Sequence, residues 1–439
     1  MDIEAELRGA KLSWFHIRLA LVLGCVLFVD GYDLFNGGYI APYIRHEWGL
    51  GDRQIGFMLS IGIAGLAIGA YLQAPLARRI GRRAAVAVGC IILALASLTM
   101  ATIVNDFTSF LAVRLVLGIS LGMLSPLVFV YVNEWAPGHS ANLFATISFV
   151  LPFSLGGIAA GVAAMTLGPA YGWRALYMVA GIGLPIALLA FLVLPESLVR
   201  ILKQGRMDQV RCYLNAIRPD RRAIYDATAH FTMPEPSHGA TGLAPLFSAS
   251  YRVRTICIWL ASALSLVCLH GISGWLPSLL VAKGTAFSSA FGYGTLLMAM
   301  QIVGGGVAGG LADRYGRARV MTWGFFGSAI VMIGMIFALD NSWMALMVAG
   351  AGFTIFGTQA VMNNFTALSY EPALRGTGTG AAVAFSRVGG FLGPLLIGWS
   401  QSLGEDLWVT FTMLAATQLT AAGIMIALRR HLLSHERPY

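Results

Sequence analysis

Residues Ile17–Ile44 read IRLALVLGCVLFVDGYDLFNGGYIAPYI, an apolar run of membrane-spanning length broken near its middle by Asp30-Gly31-Tyr32-Asp33. Two carboxylates three residues apart share one face of a helix. At the centre of a bilayer each ionised acid costs about 2.5–3.5 kcal/mol on insertion scales, so such a pair survives only where water, protons or opposite charge reach it. Asp30 and Asp33 therefore belong beside an internal cavity, and the rest of the chain must supply its walls and its positive charge.

The composition agrees. Of 439 residues, 57% are hydrophobic and 11% charged, with mean hydropathy +0.73, against about 25% charged in soluble domains. The apolar runs are continuous and about 20 residues long, which favours helices over the alternating segments of a barrel. An all-α membrane protein with twelve transmembrane helices is expected, spanning approximately 17–44, 54–77, 84–105, 107–133, 141–168, 173–195, 253–282, 286–312, 320–339, 341–370, 376–402 and 407–428. The polar stretch between the sixth and seventh spans divides the chain into an N-terminal six-helix bundle (1–195), a central cytoplasmic loop (196–252) and a C-terminal six-helix bundle (253–439). That loop, with its turn-rich Pro234–Gly239, reads as a solvated linker carrying short surface helices, and attraction to anionic lipid is the lesser alternative.

The net charge of +9 follows from topology rather than from nucleic-acid binding. Among the 29 Lys and Arg, only Arg45, Arg53, Arg174 and Lys283 fall in connections on the side away from the termini, and Arg114 and Arg387 lie within spans. The bias expects both termini on the cytoplasmic side of a cell membrane, and a bacterial inner membrane is the expected location. Met1–His16 shows no small-residue cleavage site, so no signal is expected to be removed. The five cysteines are odd in number and suggest neither disulfides nor metal spacing.

The halves repeat one another. Arg79-Ile80-Gly81-Arg82 recurs as Arg314-Tyr315-Gly316-Arg317 at an offset of about 235 residues, Pro42 pairs with Pro277 at the same offset, and Glu134 pairs with Glu371 close to it. Duplication of a six-helix unit places the expected binding site between the halves near midplane.

Gly309-Gly310-Leu311-Ala312-Asp313-Arg314-Tyr315-Gly316-Arg317 resembles the G-x-x-x-D-R-x-G-R loop of the major facilitator superfamily. Arg114–Gly122 is similar to that family's fourth-helix signature, and Pro195-Glu196-Ser197 with Arg200, Gly205 and Arg206 to its motif after the sixth helix. Asp30-Gly31-Tyr32-Asp33 with Ala41-Pro42, Gly274-Trp275-Leu276-Pro277, and Arg387-Val388-Gly389-Gly390 with Gly393-Pro394 resemble the aromatic acid:proton symporter branch. The resemblance implies a major facilitator fold, alternating access and gates built from Arg79, Arg82, Glu134, Asp313, Arg314, Arg317 and Glu371. One departure stands out: in Ala74-Pro75-Leu76-Ala77-Arg78-Arg79 the family's loop Asp is Arg78, so the N-half gate contact has to be rebuilt, with Asp313 and Glu371 carrying more of it.

Arg114 lies about eight residues into its span, roughly 12 Å deep at 1.5 Å per residue. It either snorkels and packs or tunes the acids of the first span. Arg387 sits close to midplane, where an arginine needs a partner. Neither arginine has a charged twin in the other half, and neither do Asp30 and Asp33, whose counterparts are Ser265 and Cys268. Repeated charges suit symmetric gates, whereas unrepeated ones suit substrate and proton. An arginine fork binds a carboxylate bidentately, so Arg387 is the expected anchor, with Arg114 near it in role. Either Asp30 or Asp33 can carry the proton, Asp33 being the expected cavity-facing member.

His270 is a satisfied core histidine or a proton and substrate contact. Gln301, Gln359 and Asn363 are hydrogen-bonding candidates, and adjacent Asn363 and Asn364 cannot face one cavity together. Tyr32, Phe35, Tyr39 and Trp275 either stack a substrate ring or pack helices. Runs such as Gly304-Gly305-Gly306 lie in spans, follow no strand and lack a phosphate-loop Lys, so close helix approach explains them.

With no metal cluster and no Ser/His/Asp arrangement, enzyme chemistry is not expected, nor any cofactor or metal. The leading reading is a proton-coupled symporter importing small organic anions, chiefly aromatic carboxylates such as 4-hydroxybenzoate or protocatechuate. A carrier of cis,cis-muconate or a nicotinate-like acid shares the arginine logic, and a transporter-like nutrient sensor is the remaining alternative. Its expected partners are the anion, the proton and the lipid bilayer, with no nucleic acid, and the chain is expected to act as a monomer.

Overall fold

The computed structural model describes residues 1–228, 230–232, 242–338, 343–404 and 406–435. Pro234–Gly239 of the central loop lies outside them. Twelve long helices follow in order: α1 (Trp14–Trp48), α2 (Asp52–Ile80), α3 (Arg82–Thr102), α4 (Phe107–Trp135), α5 (Leu143–Thr166), α6 (Gly168–Val193), α7 (Arg252–Ala282), α8 (Phe287–Tyr315), α9 (Arg317–Ala338), α10 (Met344–Leu368), α11 (Pro372–Ser402) and α12 (Leu407–His435). Eleven helices among the described residues are long and apolar enough to cross a membrane. α1 is the longest at 35 residues and carries the acid pair.

Local chemistry explains the breaks. Gly81 and Gly316, the glycines of the repeated R-x-G-R turns, have φ of +96° and +86°, a region that any other residue enters only with strain. They turn α2 into α3 and α8 into α9. Asp106 caps α4 by accepting from the Thr108 and Ser109 amides at 2.9 and 3.0 Å, and the bonds from Ser109 hold its carboxyl below the usual aspartate pKa. Pro42 and Pro277 fall inside α1 and α7 at repeated positions, each removing one backbone bond. Wide π turns interrupt α5 at Thr146–Val150 and α10 at Gly352–Phe356, a departure often kept for function.

Packing divides the chain into two compact units that cut across individual helices. Unit 1 comprises Met1–Leu34, Gly65–Gly157 and Tyr177–Ser237; unit 2 comprises Phe35–Ala64, Ile158–Leu176 and His238–Tyr439.

In unit 1, α1 crosses α5 backbone on backbone: a Cβ at Gly31 would overlap the Phe153 carbonyl, and one at Gly156 the Phe28 carbonyl. Glycines 65, 69 and 122 do the same for α2 and α4. The central loop carries short helices of the kind expected, and they are more than solvated. Its helices Met207–Ile217 and Arg222–Ala227 bury Val210, Leu214, Ile217 and Tyr225, and the N-terminal helix Ile3–Arg8 docks on them. Glu6 meets Arg218 at 3.2 Å, Arg221 at 2.8 Å and the Tyr225 hydroxyl at 2.8 Å. Burial and that bond raise the Tyr225 pKa.

In unit 2, α7 packs along α11 and α12, and α9 along α12, around Ile258, Phe325, Met362 and Met425. The second half of α1 joins this core: a Cβ at Gly38 would lie 2.8 Å from the Ser273 carbonyl of α7. Gly56 of α2 approaches the Pro394 carbonyl of α11 to the same 2.8 Å. The helix ends around Trp48 are sealed by Glu47, which accepts from Trp173 Nε1 at 2.7 Å and Arg174 at 2.8 Å.

Candidate functional site

The close crossing of α1 on α5 in unit 1 rotates both acids of α1 away from lipid. Asp30 is 2% exposed and Asp33 fully buried. Arg114, buried on α4, brings Nη1 to 3.4 Å from Asp33 Oδ2 and 3.4 Å from the Asp33 carbonyl, and to 3.5 Å from the Tyr177 hydroxyl of α6. The Ser125 hydroxyl of α4 donates to Asp30. Asp33, the expected cavity-facing member, has its side chain fully buried against Arg114. Tyr32, between the two acids, is buried too. Sequence reading missed Ser125 and Tyr177, although Ser125 lies three turns from Arg114 on the same face of α4.

Unit 2 holds the second cluster. The Arg387-Val388-Gly389-Gly390 motif works as a packing platform: a Cβ at Gly389 would overlap the Ala263 carbonyl of α7, and one at Gly390 would lie 2.8 Å from His270 Cδ2. This close approach sets His270 beside the turn of α11 that carries Arg387. Arg387 is half-buried, His270 is buried, and His270 Nε2 has no hydrogen-bond partner. Asn36 of α1, three residues beyond Asp33, is fully buried, and neither its Nδ2 nor its Oδ1 is hydrogen bonded. It was not singled out from the sequence, although its spacing continues the polar face of Asp30 and Asp33.

Of the two alternatives for Trp275, stacking a ring or packing helices, the geometry matches packing. Trp275 is fully buried and donates Nε1–H to the Pro394 carbonyl at 3.0 Å, so it fastens α7 to α11. Phe35 and Tyr39 are likewise in packing, 6.5 Å from Phe356 and 5.9 Å from Phe291 between ring centres. Gln301 is half-buried; Gln359 donates to Asn363 Oδ1 at 2.9 Å, and Asn363 and Asn364 are both exposed.

The gate residues differ between the repeats. Arg82 pairs with Glu134, and Glu134 also accepts from the Ser197 hydroxyl at 3.1 Å and the Leu198 amide at 2.9 Å. Glu196 accepts from the Arg82 amide at 3.1 Å. The second-half gate residues are looser: Arg317 reaches Asp313 at 3.7 Å across the turn from α8 into α9, and Arg314 lies 5.3 Å over the Tyr315 ring. Glu371 takes the Tyr251 hydroxyl proton bond, which raises the Tyr251 pKa. Arg79 is exposed.

These features define a polytopic helical transporter with charges buried in its helical core. The Major Facilitator Superfamily model matches residues 23–431, and the chain belongs to that family, as a multi-pass membrane transporter and not an enzyme. Within it the chain sits among aromatic-acid transporters. It is 33% identical over 426 residues to the gallate transporter of Pseudomonas putida, covering 95% of this chain and 92% of that one. The benzoate transport protein of Acinetobacter baylyi is 27% identical over 421 residues, covering 94% and 90%. The xylose transporter XylE from E. coli, in a partially occluded inward-open conformation, aligns with a TM-score of 0.71 at 15% identity over 94% of this chain and 99% of that one, a likeness of fold alone.

Proposed function

We propose that this protein imports small aromatic carboxylates, of the 4-hydroxybenzoate and protocatechuate type, together with protons by alternating access, with both termini in the cytoplasm. The observation that carries the reading is the buried Asp33–Arg114 pair, whose acid sits on a helix that runs from one unit into the other. Relatives that carry gallate and benzoate support the substrate class.

The chemistry follows from the two clusters. A proton taken up at an Asp33 carboxylate oxygen cancels the charge that holds Arg114, loosening α1 against α4. Arg387 offers a planar fork to the incoming carboxylate, and His270 and Asn36 present unused hydrogen-bonding atoms within the same unit. Because α1 carries Asp33 and Asn36 one turn apart, a change at the acid is transmitted along that helix. Asp30, held by Ser125, steadies the turn. The Arg82–Glu134 pair and, in the second half, the looser Asp313–Arg317 contact act as gates that open in turn.

Labelled 4-hydroxybenzoate uptake into proteoliposomes, with and without an imposed pH gradient, tests this directly. Wild-type protein should accumulate the acid only with the gradient. Arg387→Ala should reduce uptake to background; near-normal uptake would remove the anchor role. Asp33→Asn should equilibrate the acid without concentrating it, and unchanged accumulation would move the coupling elsewhere.

A further inference from the structure

Beside the Gly81 turn of unit 1 lies a cavity of about 500 Å³ whose lining includes Arg78, Arg82, Arg200 and Lys203 against a single acid, Glu196. A smaller cavity of about 170 Å³ shares Glu196 and Arg200 and adds Arg83 and Arg206. Of the acids nearby, Glu134 is committed to a cation, whereas Glu196 spends one oxygen on backbone amides and leaves its single negative charge against the basic lining. Glu134 takes the Arg82 guanidinium, and Glu196 Oε1 accepts from the Arg82 and Ser197 amides. Among the described residues, Arg78, Arg200 and Lys203 form no ion pair, and Arg200 Nη1 is buried without a hydrogen bond.

We propose that this cavity is a binding site for a phosphate-bearing anion, either a free phosphorylated metabolite or the headgroup of an anionic lipid. Basic residues on this face would serve topology alone if their heads reached water. A sealed guanidinium nitrogen is different, because a buried donor left unbonded carries the full desolvation cost of that group. Several positive charges converging on one cavity match a compact anion of more than one charge, and arginine forks bind phosphate oxygens in pairs. The volume is that of a small-molecule site. The proposal also gives Arg78 a purpose: where the family's loop has an acid, this chain places a cation at the cavity wall. The site is separate from the Arg387 cluster and does not depend on the transported substrate.

Full-length protein in neutral detergent is titrated with inorganic pyrophosphate while thermal unfolding is followed. In parallel, nanodiscs of phosphatidylcholine alone are compared with nanodiscs containing phosphatidylglycerol. Saturable, salt-sensitive stabilisation by pyrophosphate, weakened at least about tenfold in Arg200→Gln, supports the site with a free anion as ligand. Stabilisation confined to phosphatidylglycerol nanodiscs and lost in the same variant supports it with a lipid headgroup as ligand. Should Arg200→Gln fail to fold, Arg78→Gln and Lys203→Gln, which change exposed side chains, are read in its place. The proposal is overturned if neither pyrophosphate nor phosphatidylglycerol stabilises the wild type, or if both act equally on the variants.

Discussion

Replacing Arg114 with Met isolates the energetics of the buried pair. Arg114 Nη1 stands 3.4 Å from Asp33 Oδ2, with side chains 5% and 0% exposed. At an effective dielectric near 20, a contact of that length represents about 5 kcal/mol of attraction before desolvation is counted. Asp33 Oδ1 already lacks a hydrogen bond, so Arg114→Met leaves a carboxylate with no compensating charge. Breaking such a pair from one side costs about 3–5 kcal/mol, whereas replacing both partners with apolar side chains is often nearly neutral. The single variant should therefore unfold at much lower urea or temperature. Arg114→Met/Asp33→Leu should regain most of that loss, an interaction of at least about 2 kcal/mol in a double-mutant cycle. Tryptophan fluorescence of the detergent-solubilised protein follows the unfolding. Proteoliposome uptake should show that the double variant, though stable, no longer concentrates substrate against a pH gradient. Strictly additive destabilisation would refute the coupling of the pair, and gradient-driven accumulation by the double variant would refute its role in proton transfer.

Three further outcomes are expected. Gly304→Ala should destabilise by about 1–3 kcal/mol through overpacking, because a Cβ there would overlap the Phe353 carbonyl, while Gly305→Ala, with nothing within 4 Å, should leave unfolding and uptake unchanged; equal effects would show that the α8–α10 crossing is misplaced. Trp275→Phe removes the bond to the Pro394 carbonyl and should cost about 1 kcal/mol of stability while preserving the ranking of aromatic acids in competition uptake; a changed ranking would return Trp275 to the binding surface. Arg82→Gln leaves Glu134 its bonds to Ser197 and Leu198 and should alter maximal uptake rate more than apparent affinity, whereas a pure affinity change would remove Arg82 from the gate.

Much of this architecture was legible before any coordinates. Continuous apolar runs predicted helices that the structure places within a few residues, since burial of a backbone in lipid leaves no other local solution. The repeated R-x-G-R segments announced two equivalent turns, and the left-handed glycines at 81 and 316 are their physical cause. The short helices of the central loop were expected, but their packing partners were not legible. These amphipathic helices present few apolar residues, and nothing local to Glu6 signals that Arg218, Arg221 and Tyr225 will surround it. For Trp275 the sequence left stacking and packing both open, because a Gly-Trp-x-Pro motif shows an aromatic ring but not the carbonyl across the helix seam that fixes it.

The sequence by itself determined which residues are out of place in lipid: Asp30, Asp33, Arg114 and Arg387. The cost of a charge in hydrocarbon belongs to that residue alone, so hydropathy exposes it. Only the tertiary structure decided the partnerships, which set Asp33 against Arg114, gave Asp30 to Ser125, packed His270 against Gly390 and left the Asn36 amide buried without a bond. Those depend on how each helix is rotated about its axis and how closely its backbone meets its neighbour. That is settled by glycines 31, 156, 389 and 390 acting against residues far away in the chain, a many-body fit that no local pattern encodes.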